Sequence, residues 1–120
     1  MIELTQSFTF EAAHFLPSAP DGNENRRIHG HSFKVEITVT GDPDTQTGLL
    51  IHFDAFKEIC NRLVRDKIDH QLLNDIKGFE NPTLENMCQK MWQMLIPELP
   101  SITSVTIIRE SCGQKCVYRQ

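Results

Sequence analysis

Apolar and polar positions along the chain alternate first with a period of two and then with a period of three to four. Ile2 to His14, which contains the alternating run Phe8-Thr9-Phe10, reads as a strand. Pro17 to Arg27 is rich in Pro, Asp, Gly and Asn and reads as a loop. Beyond it, Phe33, Val35, Ile37 and Val39 alternate with Lys34, Glu36, Thr38 and Thr40, which predicts a half-buried strand of an antiparallel sheet covered on one side. Gly41-Asp42-Pro43-Asp44 breaks that strand, and an apolar run resumes from Gly48 to Phe53. Phe53, Phe56, Cys60, Leu63, Val64 and Lys67 then predict a helix starting near Asp54. Asn81-Pro82-Thr83 announces a second helix, because Asn81 or Thr83 can cap it and proline is tolerated in a first turn. Its buried stripe would be Leu84, Met87, Cys88, Met91, Trp92 and Leu95, ending before Pro97, and core packing explains this stripe without a cofactor. Strands at Ser104 to Arg109 and Lys115 to Arg119 complete the order β-β-α-α-β-β. An α+β domain follows, with both helices on one face of an antiparallel sheet. Such a sheet has open edges, which joining neighbours' sheets in a ring would cover.

The 120 residues are enough for one domain, 1–120, and not for two. Hydrophobic content of 39% and charged content of 23% describe an ordinary soluble protein. A net charge of −4, with no basic run longer than Arg26-Arg27, argues against nucleic acid as the main partner. A local cluster such as Arg26, Arg27 and Lys34 can still bind one phosphate group. No apolar stretch has the length of a membrane span and the first residues lack a signal-peptide pattern, so the expected location is the cytoplasm. Cys60 and Cys88 fall on apolar helix faces and read as buried thiols. Cys112 and Cys116 flank a tight hairpin around Gly113, and a reducing compartment favours two free thiols there.

Three histidines carry the chemistry. In His29-Gly30-His31 the two imidazoles share a face of an extended backbone, and Gly30 lets a third ligand or a substrate approach closely. His14 closes the neighbouring strand. Three nitrogens on two adjacent strands leave one tetrahedral position open, the pattern of catalytic rather than structural zinc; surface or core histidines are the plain alternative. Asp69-His70 ends the first helix. His70 reads either as a helix-terminal cation favoured by the dipole or as a general acid/base tuned by its carboxylate neighbour. Glu110, closing Val105-Thr106-Ile107-Ile108, is a strand-end carboxylate or the acceptor of two hydrogen bonds from an amino-pyrimidine edge. Glu24 is distinguished only by its closeness to the histidines.

Taken in order, Phe8-Thr9-Phe10-Glu11-Ala12-Ala13-His14, His29-Gly30-His31, Leu72-Leu73-Asn74-Asp75, Glu80-Asn81-Pro82-Thr83 and Arg109-Glu110-Ser111-Cys112 resemble the 6-pyruvoyl-tetrahydropterin synthase family over nearly the whole chain. The bacterial 6-carboxy-tetrahydropterin synthase branch, of queuosine biosynthesis, is the most similar. The resemblance implies the tunnelling (T-) fold, with trimers forming a barrel and two trimers a homohexamer. It implies Zn2+ held by His14, His29 and His31, a pterin ring anchored by Glu110 with Thr83 beside the substrate, and a proton relay of Asp69 and His70. The implied substrate is 7,8-dihydroneopterin triphosphate, and the implied activity is a side-chain lyase that leaves a 6-carboxyl group.

Three positions depart from the family pattern. Asn25 stands where the family carries a catalytic cysteine, His52 where an aspartate is usual, and Phe15 where a basic residue is common. An amide supplies no thiolate and no base near neutral pH. Three readings follow: a lyase on the same substrate with Glu24 or His70 as base, of which a glutamate-based cleavage releasing a hydroxymethyl-pterin is a variant, a zinc- or pterin-binding paralogue with little catalysis, and an engineered or chance loss in a standard synthase. Glu24 is one residue out of register for the glutamate role. The lyase is the reading taken forward.

Overall fold

The computed structural model describes residues 1–120. Strand β1 (Ile2–His14) and strand β2 (His29–Gly41) form a long antiparallel pair whose register runs from Ile2 opposite Gly41 to His14 opposite His29. Strand β4 (Ile102–Arg109) adds to β2 and strand β5 (Gln114–Arg119) adds to β4, both antiparallel. These are the four strands the alternation predicts, β1 with the expected bounds and the other three longer by one or more residues. A further strand, β3 (Gln71–Leu72), runs parallel to β1 and gives the sheet order β3-β1-β2-β4-β5. Two residues are too short to show a period, which is why the sequence hides it. The apolar run from Gly48 to Phe53 forms no strand.

One face of the sheet is apolar. Phe8, Phe10 and Ala12 of β1, Phe33, Val35, Ile37 and Val39 of β2, and Val105 and Ile107 of β4 are all buried there, and the Phe10 and Phe33 rings stack at 4.7 Å. Helix α1 (Phe53–Cys60) passes through a π-helical stretch, Asn61–Arg65, into a last turn, α2 (Asp66–Ile68). Its buried residues, Phe56, Cys60, Val64 and Ile68, recur every four positions. A spacing of four drifts around an α-helix of 3.6 residues per turn, and the wider i→i+5 turn brings the stripe back toward the sheet. Ile68 therefore takes the core position assigned from sequence to Lys67, while Phe53 lies half exposed at the helix start. Helix α3 (Leu84–Leu95) buries Leu84, Met87, Cys88, Met91 and Leu95 on the same face. Thr83 caps it, its hydroxyl accepting the Asn86 N–H at 3.1 Å. No helix is long and apolar enough to cross a membrane.

Candidate metal centre and its surroundings

At one end of the apolar face the hydrophobic residues give way to imidazoles. Even positions of β1 and odd positions of β2 point to the helix side, so His14 lies opposite His29, and His31 lies opposite the small side chain of Ala12. The three rings pack edge to face, with centroids 4.6, 4.8 and 5.0 Å apart. One ligand atom from each lies within 4.8 Å of the others. Sequence placed these residues on adjacent strands, and the register brings them together.

The hydrogen bonds decide which nitrogens converge. His14 Nδ1 faces the Pro82 carbonyl at 3.1 Å, and His29 Nδ1 faces the Arg27 carbonyl at 2.7 Å. A carbonyl only accepts, so Nδ1 is the nitrogen that carries the proton of each neutral ring, and Nε2 is the one left to ligate. His31 Nδ1 has the Cys112 sulfur at 3.9 Å. His14 Nε2 and His31 Nε2 are buried without a partner, which a polar atom tolerates poorly unless a ligand completes it. Burial pushes the His14 imidazole down to about 4, against the Pro82 hydrogen bond and with help from His29, His31 and Arg109. His31 is lowered by burial, then by Arg109 and His29. Three imidazoles with their outer nitrogens tied to carbonyls or a thiol form a donor set suited to zinc. The residues fit the metal.

Gly30 does not serve the approach of His14, which lies on the opposite side of the sheet. Its backbone is not left-handed, and a Cβ there would meet only the Ala12 carbonyl at 3.8 Å. Its bare side borders a cavity of about 510 Å³ shared with His70, Glu11 and His31.

Asp69 and His70 follow α2. His70 has a φ of 61°, in the left-handed region a non-glycine residue seldom occupies, and its N–H donates to the Glu11 carbonyl at 2.6 Å. Asp69 Oδ1 accepts the Glu11 N–H at 2.9 Å and lies 3.1 Å from His70 Nδ1, while Arg65 reaches Oδ2 at 3.2 Å. The Glu11 N–H is the main cause that holds this carboxyl below its ordinary value, with His70 and Arg65 adding to it. Arg65 belongs to the π-helical stretch and also donates from Nε to the Thr9 carbonyl at 2.9 Å. Sequence reasoning missed Arg65, although its i,i+4 spacing from Asp69 was a local signal that could have found it.

The other residues singled out from sequence lie in two further cavities. Glu24 and Asn25 sit in a 3-10 turn, Glu24–Arg26, and line a cavity of about 590 Å³ with Arg27, His29, Arg109 and Cys112. Glu110 opens the 3-10 turn Glu110–Cys112 between β4 and β5 and lines a cavity of about 380 Å³ with Thr9, Ser32 and Lys34. The chain thus brings the histidines together with Glu24 and Asn25, and keeps Glu110 apart from them. Of the three histidines only His31 lines the cavity of His70 as well as that of Glu24. Cys112 and Arg109 beside the histidines were given no role from sequence; their only signal was the Arg109-Glu110-Ser111-Cys112 run. All four cysteines are free, with Cys60 and Cys88 buried, as expected.

An α+β sheet with a buried three-histidine cluster at its rim, flanked by a carboxylate–histidine pair, defines a metalloenzyme-like class of site. The 6-pyruvoyl tetrahydropterin synthase family model matches residues 3–120, and the chain belongs to that family. It is 34% identical to a 6-carboxy-5,6,7,8-tetrahydropterin synthase of Synechocystis sp., covering 94% of this chain and 89% of that one. It is also 34% identical to the Bacillus subtilis protein of the same name, covering 98% of this chain and 84% of that one. The structure superposes on the Caenorhabditis elegans 6-pyruvoyl tetrahydropterin synthase with a TM-score of 0.87 at 21% identity, covering 99% of this chain and 95% of that one. The expected T-fold is thereby the fold of this chain, with β3 added to the four antiparallel strands. Membership makes it a pterin synthase-type lyase.

Proposed function

We propose that this protein is a zinc-dependent lyase that acts on 7,8-dihydroneopterin triphosphate and shortens its side chain, in the manner of a 6-carboxy-tetrahydropterin synthase. The observation that carries the reading is the convergence of His14, His29 and His31, with Nε2 lone pairs buried and unpartnered in two of them. His14, His29 and His31 would hold the zinc, which supplies Lewis-acid activation of the side-chain hydroxyls when bound.

Everything else is asked of the chain's own side chains. Glu110 accepts hydrogen bonds from the amino-pyrimidine edge of the pterin ring, and Thr83, the cap of α3, follows the Pro82 carbonyl that faces His14. Asp69, held by Glu11 N–H and Arg65, orients His70 through the 3.1 Å contact to Nδ1, leaving His70 Nε2 to take or return a proton. Glu24 takes the proton-accepting role of the missing thiol, because it lines the histidine cavity beside Asn25. That placement also favours the second reading, a glutamate-based cleavage releasing a hydroxymethyl-pterin. A homo-oligomer, a trimer or a dimer of trimers, would pair the free edges of β3 and β5.

Mass spectrometry of the product formed from dihydroneopterin triphosphate by zinc-loaded protein tests this directly. A 6-carboxy-pterin supports the lyase, and a hydroxymethyl-pterin supports the glutamate variant. Glu24→Ala and His70→Ala should each abolish either product. Unreacted substrate at stoichiometric enzyme would leave a binding protein instead.

A further inference from the structure

The basic residues nearest the histidines in sequence do not stay together in the fold. Arg26 is consumed by its own loop, donating to the Pro17 and Ala19 carbonyls at 3.2 and 2.8 Å and lying 3.4 Å from Asp21. Lys34 points to the other face of the sheet, into the cavity of Glu110. Of the three, only Arg27 lines the cavity of His29 and His31, which Arg109, arriving from the end of β4, also lines.

Arg109 shares the strand face of Val105 and Ile107, so its side chain runs toward the histidine rim. One amino group donates to Gln114 Oε1 at 2.5 Å. Its Nε is buried and has no partner. A guanidinium N–H left unmatched beside a metal-binding cluster is costly, and an anion is the group that would satisfy it. The charged lining of this cavity is two guanidiniums against the single carboxylate of Glu24, in a chain whose net charge is −4. A divalent metal on the histidines would strengthen that positive field.

We propose that Arg109 and Arg27 form an anion subsite abutting the histidine cluster, which receives the polyphosphate tail of the substrate. The proposal rests on the pterin triphosphate reading above. Glu110 lies on the opposite face of the sheet from the Arg109 side chain. A substrate whose side chain reaches the histidines has the cavity of about 590 Å³ beside it for its distal phosphates, since His29 and His31 line that cavity together with both arginines. The subsite selects phosphorylated over unphosphorylated pterins.

Inorganic phosphate is the probe, and cobalt-substituted protein is the reporter. Phosphate held beside the histidines has its phosphorus resonance broadened by the paramagnetic metal. Arg109→Gln and Arg27→Gln should each weaken phosphate binding about ten- to hundredfold at unchanged cobalt content, since each removes a charge-assisted hydrogen bond. Arg27 is exposed, so its variant keeps the fold and makes the test independent of any instability at Arg109. Both variants should raise KM for dihydroneopterin triphosphate more than they lower kcat, and leave fluorescence-detected binding of neopterin unchanged. Broadening that persists in both variants would place phosphate on the metal itself and overturn the subsite. Wild-type protein that binds phosphate and not neopterin keeps the subsite and removes the pterin reading. Binding of neopterin without phosphate broadening does the reverse.

Discussion

Gly30→Val separates what the fold requires of the His-Gly-His segment from what a substrate requires. Gly30 has no left-handed backbone, and an added Cβ meets only the Ala12 carbonyl at 3.8 Å, an ordinary contact. A glycine replaced at such a position stabilises a protein by about 0.4–1 kcal/mol through the unfolded chain, and valine suits a strand. Thermal unfolding should therefore move up by a few degrees at most, roughly 2–6 °C for a chain of this size. Metal content should not change, because His29 and His31 project from the other face of β2. Turnover should fall. The new side chain enters the cavity of about 510 Å³ that Gly30 shares with His70. Filling a fitted space costs about 1–3 kcal/mol, equivalent to a loss of roughly five- to hundredfold in kcat/KM. Melting curves, elemental analysis for zinc and quantified pterin product read the three quantities separately. Loss of zinc or of the fold would refute the claim that this glycine is free in the chain, and full activity would refute the use of this cavity.

Three more outcomes follow from the same geometry. Thr83→Ala removes the cap of α3 and should cost about 1 kcal/mol; because Thr83 follows the Pro82 carbonyl that orients His14, zinc affinity should also fall about tenfold. Calorimetric melting and zinc titration check both, Thr83→Ser should restore both, and an unchanged zinc affinity would uncouple the cap from the histidine. His29→Ala should bring stoichiometric zinc close to zero in the purified protein, and retained zinc would sink the cluster as the metal centre. Metal-free protein should lose stability on acidification from about pH 6.5 to about pH 4: across that window the unfolded chain protonates His14 while the folded chain, with His14 near 4, does not. Chemical denaturation as a function of pH measures this, and His14→Gln should flatten that part of the profile; an identical slope in the variant would refute it.

Sequence by itself determined the elements and the chemistry they carry. Alternation over β1 and β2 gives both strands and their wet and dry faces, because a period of two follows directly from the pleat. The stripe from Leu84 to Leu95 gives α3, and Thr83 gives its cap, because capping needs only a local side chain. His29 and His31 share a face for the same local reason. Tertiary structure decided what meets across the chain. The register that sets His14 opposite His29 depends on the whole β1–β2 pair, and the π-helical stretch that buries Ile68 and sets Arg65 against the Thr9 carbonyl depends on a four-residue stripe being held against the sheet. The cluster of Arg26, Arg27 and Lys34 shows the limit most clearly. Neighbours in sequence are dispersed by loop hydrogen bonds and strand parity, and Arg27 shares a cavity with Arg109, far along the chain. Local periodicity is fixed by backbone geometry, while the company a charged side chain keeps is fixed by packing between distant segments.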